Sequence, residues 1–405
     1  MAAKVVLVSL LLVVADACYT AADCSYSGAC TAGRCACNSH WSGPNCTTLN
    51  LLPSPSADGG GLRRAHSSSW GGSVIWDDDP GMGWVMIFAD MEAHCGLDAW
   101  QRNSLIAIAT NTDASSPAGP FTLPGPNASV APALVMKSFA HNPTAHGPTP
   151  GTSPVYLVYH IGDGHASRHG SPRTDCTNGT TPPPPPAALG ATAAAAALDD
   201  EAAPPHGLPA VMTPNLLVAG TLSGPWTTHK WAKNEGSCNN PGAAVLKNGT
   251  VVLVCKVSVN KGPDGKTWRQ MAIYVAPTWK GPYEFRRLTP VYGEDAYIWY
   301  STADDNGTGA FHMLLHSMHP HKIPTTAWSK DGIDWIPNGF SGPPHPQPRA
   351  SFNSSTFALK GGGTMTVKRR ERHQPIFKDG KLVGLCNGVT TGRGDYSFTA
   401  CVPVA

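Results

Sequence analysis

Short apolar runs, each closed by a polar or glycine-containing turn, recur along the chain from residue 66 onward. The clearest are Trp84–Ala89 (WVMIFA), Val155–His160 (VYLVYH), Val251–Lys256 (VVLVCK), Phe311–His316 (FHMLLH) and Gly363–Lys368 (GTMTVK). Six apolar residues between turns suit a strand buried on both faces, whereas a helix needs ten or more residues with a 3.6 period. Each run follows a polar start, a first apolar strand and a turn, and the units begin near residues 66, 140, 238, 293 and 351. Three units close on a Gly-Pro-aromatic turn (Gly119-Pro120-Phe121, Gly224-Pro225-Trp226, Gly281-Pro282-Tyr283) and the fourth on Asp331-Gly332-Ile333-Asp334-Trp335. A repeat of about 50 residues with several strands predicts a radial propeller rather than a solenoid. Five units predict a mainly β fold, a five-bladed β-propeller over residues 66–401; a pair of β-sandwiches is the competing architecture. The long second interval holds an insert, 163–212, with Pro182–Pro186, Ala193–Ala197 and Asp199-Asp200-Glu201. Such low complexity cannot bury a core.

Composition agrees. With 43 Gly, 38 Pro and 14% charged residues in 405, the chain is rich in turn formers and poor in helix-surface residues, which argues against a helical bundle. A net charge of +2 without a basic stripe excludes nucleic acid as the main partner. Lys4, the apolar Val5–Val14 and Ala15-Asp16-Ala17 read as a secretory signal over residues 1–17. Ten apolar residues are too few to span a bilayer, and no later segment is long enough, so no membrane span is expected. The expected location is extracellular, and six N-x-S/T triplets (Asn45, Asn127, Asn178, Asn248, Asn306, Asn353) suit a secreted glycoprotein. Oligomeric state has no signature here.

Six of the twelve cysteines crowd into residues 18–46. A module this small needs disulfides to fold, and spacing alone leaves fifteen pairings open. The pair Cys35-Ala36-Cys37 followed by Trp41, Gly43 and Cys46 resembles an EGF-like domain. That resemblance implies Cys18–Cys30, Cys24–Cys35 and Cys37–Cys46. Carboxylate and amide ligands of calcium-binding EGF modules are not visible; no cofactor is called for, and a structural calcium ion is the only one compatible with such modules. Residues 47–65, rich in Pro, Ser and Gly, read as a linker. Pairing of Cys95, Cys176, Cys238, Cys255, Cys386 and Cys401 stays open.

In a propeller, the starts of the first strands and the loops after the second strands converge on one face. That set includes Trp70, His141, Asn142, Asn240, Glu294 and Asp295 from strand starts. Asp90, Glu92, His94, Arg102, His316, Arg370 and Arg372 come from the loops. Amides and charged groups bind sugar hydroxyls, and indoles stack on pyranose rings, so the expected partner is a glycan. The Asp77-Asp78-Asp79 turn falls on the other face and reads as solvated. Arg393-Gly394-Asp395 reads as a surface turn.

The strand starts with proline two positions on, the Gly-Pro-aromatic turns and the five units resemble the propellers of family 43 and family 32 glycoside hydrolases. His66–Ser73, Glu92–Gly96, Ala140–Thr144 and Arg369–Arg372 resemble more closely a group of secreted algal and protist propeller proteins, a likeness that carries no activity with it. The hydrolase resemblance implies a base Asp at the first blade, a helper Asp at the third and an acid Glu at the fourth. Glu294 matches the acid. The base is missing from Trp70-Gly71-Gly72-Ser73, and Asn239-Asn240-Pro241 puts an amide, which cannot exchange a proton, where the helper belongs. Asp90 or Glu92 could supply a displaced base. Strand alternation argues that Glu294 and Asp295 do not both face the channel. Arg369–Arg372 suggests an anionic substrate such as a uronate or sulfated sugar; its alternative is an ion pair with Glu371. His316, His319 and His321 lack a fixed register, and no metal is assigned. Two functions follow: a hydrolase-like carbohydrate-active protein, or a non-catalytic glycan-binding or adhesion protein on the same scaffold.

Overall fold

The computed structural model describes residues 17–78, 82–125, 133–134, 139–148, 155–162, 176, 214–229, 238–259, 268–302, 309–317, 322–338, 349–392 and 396–405. The expected secretory signal lies outside these residues except for Ala17, as does the 163–212 insert except for Cys176. Asp79, Asn127, Asn178, Asn306, His319, His321 and Arg393–Asp395 also lie outside them.

Five antiparallel sheets form the propeller. Blade 1 comprises Ser69–Asp77, Gly83–Met91, Ser104–Asn111 and Ala133–Leu134, and blade 2 His141–His146, Tyr156–Ile161, Pro214–Ala219 and Thr227–His229. Blade 3 comprises Asn239–Val245, Val251–Val259, Trp268–Ala276 and Glu284–Tyr292, and blade 4 Glu294–Ser301, Ala310–His316, Pro324–Ser329 and Trp335–Pro337. Blade 5 has three strands, Arg369–Lys378, Lys381–Thr390 and Phe398–Pro403. Each inner strand packs on its two neighbours, and that of blade 5 returns to blade 1, so the ring closes.

The seams explain the apolar runs. In Trp84–Phe88, Val85 and Ile87 turn to blade 2 and meet Tyr156 and Val158, while Trp84, Met86 and Phe88 turn to blade 5 and meet Ile376. Val251, Leu253 and Cys255 likewise fill the seam with blade 2, and Val252 and Val254 that with blade 4. A strand with a blade on either side has no solvent face, so period-two alternation disappears.

Blade 5 corrects the expected register. Thr364–Thr366, inside the fifth apolar run, pairs with Thr356–Ala358 as a separate hairpin around Gly361-Gly362-Gly363. The inner strand is instead Arg369–Lys378, whose arginines hid it from an apolar-run criterion.

The three N-terminal disulfides are Cys18–Cys30, Cys24–Cys35 and Cys37–Cys46, with Cα separations of 5.7, 5.5 and 5.3 Å. This disulfide-rich module docks on blade 4, where Trp41 stacks on His312 at 6.4 Å and Tyr26 meets the edge of Trp328 at 4.8 Å. Its cysteines join the apolar seam between blades 4 and 5. The segment expected as a linker runs along the outer edge of blade 5. Leu51 bridges Val404, Leu62 bridges Thr399, and the Leu52 amide donates to Pro403 O at 2.9 Å. It thereby covers strand-edge groups that would otherwise lie open. The other cysteines pair as Cys95–Cys176, Cys238–Cys255 and Cys386–Cys401. Asp77 is a correction: it is 5% exposed and accepts from the Tyr156 hydroxyl, locking blade 1 to blade 2 instead of facing water. Among the described residues no helix is long and apolar enough to cross a membrane.

Candidate functional site

One backbone feature repeats in all five blades. Near the start of each inner strand a residue takes the left-handed conformation: Gly71 (φ 58°), Asn142 (53°), Asn240 (50°), Asp295 (57°) and Arg372 (51°). The pairing register slips beside each of them, which marks a β-bulge. Glycine, Asn and Asp tolerate this region best; Arg372 occupies it against preference, held by contacts to blades 2, 3 and 4. The bulge sends consecutive residues to the same side. Glu294 and Asp295 therefore both line the channel mouth, contrary to strict alternation, as do His141 with Asn142 and Asn239 with Asn240.

These residues form a cleft of about 120 Å³, walled by Trp70, Leu97, Asp98, Trp100 and Ile161 on the side of blades 1 and 2. Lys256, Arg269, Lys322, Arg369 and Glu371 complete it. Beneath the wall lies a cluster of Trp70, Ala89, Met91 and Leu97 around the Cys95–Cys176 disulfide. Trp100 tilts over the His141 ring at 5.0 Å, and His141 Nδ1 shares a 2.9 Å hydrogen bond with Ser104 Oγ. Burial, then the charge of Arg372, lowers the His141 pKa to about 3, so its ring is neutral.

The floor is a hydrogen-bond relay from blade to blade. Asn142 Nδ2 donates to Asn240 Oδ1 at 2.7 Å, and Asn240 Nδ2 donates to Glu294 Oε1 at 3.0 Å. Lys256 Nζ donates to the same oxygen and forms an ion pair with it. Burial works to raise the Glu294 pKa, but Lys256, His316 and Arg269 together outweigh it, and the carboxyl is held well below its usual range. Asp295 goes the other way: burial and the Glu294 charge raise it against the pull of Arg372 and His316. Its carboxylate lies 3.6 Å from Arg372 Nη1 and 3.8 Å from His316 Nδ1, and His316 Nε2 lies 4.0 Å from Glu294 Oε2. Arg372 is fully buried and donates from Nη2 to Asn142 O at 2.7 Å and Thr144 Oγ1 at 2.9 Å. Glu371 takes Lys322 at 2.7 Å and Arg369 Nε at 2.8 Å. Burial opposes its ionisation, yet those cations hold it strongly ionised.

Of the residues expected from sequence, the structure brings Trp70, His141, Asn142, Asn240, Glu294 and Asp295 into the cleft lining, with His316 and Arg372 buried behind it. Asp90 stands outside, in an ion pair with Arg64. Glu92, His94 and Arg102 are also absent from the lining; His94 is exposed, with Nδ1 3.2 Å from His66 O. Arg370 points to the other side of its strand, against Phe352 and Phe357 at 4.4 and 3.9 Å, where Nε donates to Asn387 Oδ1. The Arg369–Glu371 ion pair, the alternative weighed for the arginine stretch, is present. Sequence reasoning missed Asp98, Arg269 and Lys322. The last two sit at or just before the third strands of blades 3 and 4, which begin at the same end of the blade as the first strands. Including third-strand starts in the converging set finds them.

Asp295, His316 and Glu371 bring ligand atoms within 4.8 Å of one another, a geometry that could hold a metal ion. Both carboxylates are already matched by cations, Asp295 by Arg372 and Glu371 by Lys322 and Arg369. A second cation there would meet like charge.

No protein-family model matches the chain, and no curated protein matches it. Among solved structures it is similar to a protein of unknown function from Dyadobacter fermentans, at 13% identity over 85% of this chain and 96% of that one, with a TM-score of 0.50. It is also similar to Zg3597, a family 117 glycoside hydrolase from Zobellia galactanivorans, at 13% identity over 88% and 90% with a TM-score of 0.47. The GH43_1 enzyme from Xanthomonas citri complexed with xylose matches at 13% identity over 66% and 75%, with a TM-score of 0.35. At such identities the likeness speaks to the fold alone.

Proposed function

We propose that this is a secreted glycan-binding protein that seats one sugar residue at the mouth of its propeller and does not hydrolyse it. The observation that carries this reading is the state of Glu294. Bonded by Lys256 and Asn240 and held ionised, it has no proton to give a leaving group near neutral pH. A general acid needs the opposite environment. Asp295 is the acid in the lining disposed to keep a proton, yet its side chain is 4% exposed and is engaged by Arg372 and His316. Neighbours in one strand cannot face each other across a scissile bond at the roughly 6.5–9.5 Å that inversion requires. Binding needs less: the indoles of Trp70 and Trp100, the Asn240 amide and the Glu294–Lys256 pair offer stacking surface and fixed hydrogen-bonding groups in one cleft. Pockets for drug-sized ligands run to about 300–1,000 Å³; the cleft here is smaller and suits a single ring. Secretion is supported by the N-terminal sequence and by twelve cysteines paired in six disulfides.

The test is a glycan array followed by product analysis on every glycan retained. Retention without shortened products is expected. Turnover of a bound glycan, lost in Glu294→Gln, would overturn the non-catalytic reading in favour of a hydrolase.

A further inference from the structure

We infer that the sugar taken by this cleft carries a negatively charged substituent, a carboxylate or a sulfate, recognised by Arg269. This deepens the glycan reading above and rests on it.

The charges in the cleft are not evenly matched. Lys256 is matched to Glu294, and Arg372 is matched to Asp295 below the floor. Glu371 pairs with two cations, Lys322 and Arg369. Arg269, half-buried, has no side-chain hydrogen bond or ion pair among the described residues. The lining thus sets the cations Lys256, Arg269, Lys322 and Arg369 against Glu294, Asp295 and Glu371, with Asp98 exposed at its edge, where water and salt screen it. The side chains of Arg369 and Lys322 are 38% and 29% exposed, while those of Glu371 and Asp295 are only 7% and 4% exposed. Around Glu371 the cations thus lie outside the carboxylate, while in the Lys256–Glu294 pair the carboxylate is the more exposed partner, at 19% against 7%.

The Arg269 guanidinium acts on the Glu294 carboxylate through space but makes no side-chain hydrogen bond among the described residues, and its fork matches the paired oxygens of a carboxylate or sulfate. Anion recognition also moves from where the sequence pointed. Arg369 is committed to Glu371, Arg370 to the Phe352–Phe357 side, and Arg372 to the backbone of blades 2 and 3. Arg269 comes instead from a third-strand start. The size of the cleft adds that the charge sits on the ring that enters, not on a distant unit of the chain.

The experiment is calorimetric titration of the full chain with matched pairs: galactose against galacturonate, and galactose against galactose 6-sulfate, at low and high salt. The acidic member of a pair should bind about tenfold tighter or better, with the gap narrowing as salt rises. Arg269→Gln should erase that gap while keeping the wild-type melting temperature. Arg269→Lys, which keeps the charge but loses the fork, should fall between and serves if the first variant folds poorly. Equal affinity within both pairs would overturn the charged-substituent inference and leave glycan binding standing. Inorganic sulfate binding as tightly as the sulfated sugar would overturn it as well, by showing a bare anion site. Failure to bind any of these sugars or any neutral glycan on an array would instead sink the glycan reading itself.

Discussion

Replacing Lys256 with Met tests the electrostatics of the floor. Met keeps the aliphatic volume and removes the ammonium that bonds Glu294. The side chains are 7% and 19% exposed, so the pair is nearly but not fully dry. Breaking a fully buried pair costs about 3–5 kcal/mol because the remaining charge is stranded; discounting for the exposure of Glu294 leaves ~2–3 kcal/mol. In a chain of this length that is a fall of several degrees in melting temperature. The sign with pH is specific. In the wild type the folded pKa of Glu294 is depressed, so its contribution is present above the ordinary carboxylate range and is lost only as pH falls through the depressed value. In Lys256→Met, burial is opposed only by His316 and Arg269, and the pKa rises; the folded state then takes up a proton, and the deficit relative to wild type shrinks from pH 8 to pH 5. Lys256→Met/Glu294→Gln, which removes both charges, should recover most of the loss. The assay is thermal unfolding of wild type, both single variants and the double across that pH range. A Lys256→Met deficit that is absent at pH 8, or that grows towards pH 5, or a double variant worse than either single, would refute the reasoning.

Other predictions concern the scaffold. Gly71→Ala should destabilise by about 1–3 kcal/mol, since φ is positive and a Cβ there collides with the Arg372 side chain; thermal melts of the variant against wild type check this. Ile87→Ala, in the seam between blades 1 and 2 with no exposed surface, should cost about 2–5 kcal/mol by leaving a cavity. His141, His146 and His160 are buried with pKa values lowered by desolvation to about 3, 4 and 4. The unfolded chain binds more protons than the folded one below about pH 6.5, so stability should be full above that pH and erode as pH falls towards 4; a flat melting temperature from pH 7 to pH 4.5 contradicts this.

How much of this was legible in the sequence follows from what each residue contributes. The strand runs of blades 1–4 announced themselves because both faces of a central strand are apolar, as Val85 and Met86 show. Blade 5 hid because its inner strand opens with Arg369-Arg370-Glu371-Arg372, whose charges are matched partly within the stretch, Arg369 with Glu371, and partly by Lys322 and Asp295 far along the chain. The strand starts were found at the right end of the propeller, yet the consequence of the bulge was not. A left-handed φ at Asp295 is written in no local pattern, though Gly71, Asn142 and Asn240 at the equivalent positions are the residue types that tolerate it, and a comparison across units would have exposed the period. Arg269 lies at the start of a third strand, outside the first-strand starts and the loops after second strands, and Lys322 lies just before one.

The most direct measurement of the central claim is titration of wild type and Trp100→Ala with a glycan retained by the protein, followed by mass analysis of the recovered ligand. The account predicts saturable binding lost in Trp100→Ala and a ligand mass unchanged after prolonged incubation. Undiminished binding by the variant, or recovery of shortened glycan from the wild type, would contradict it.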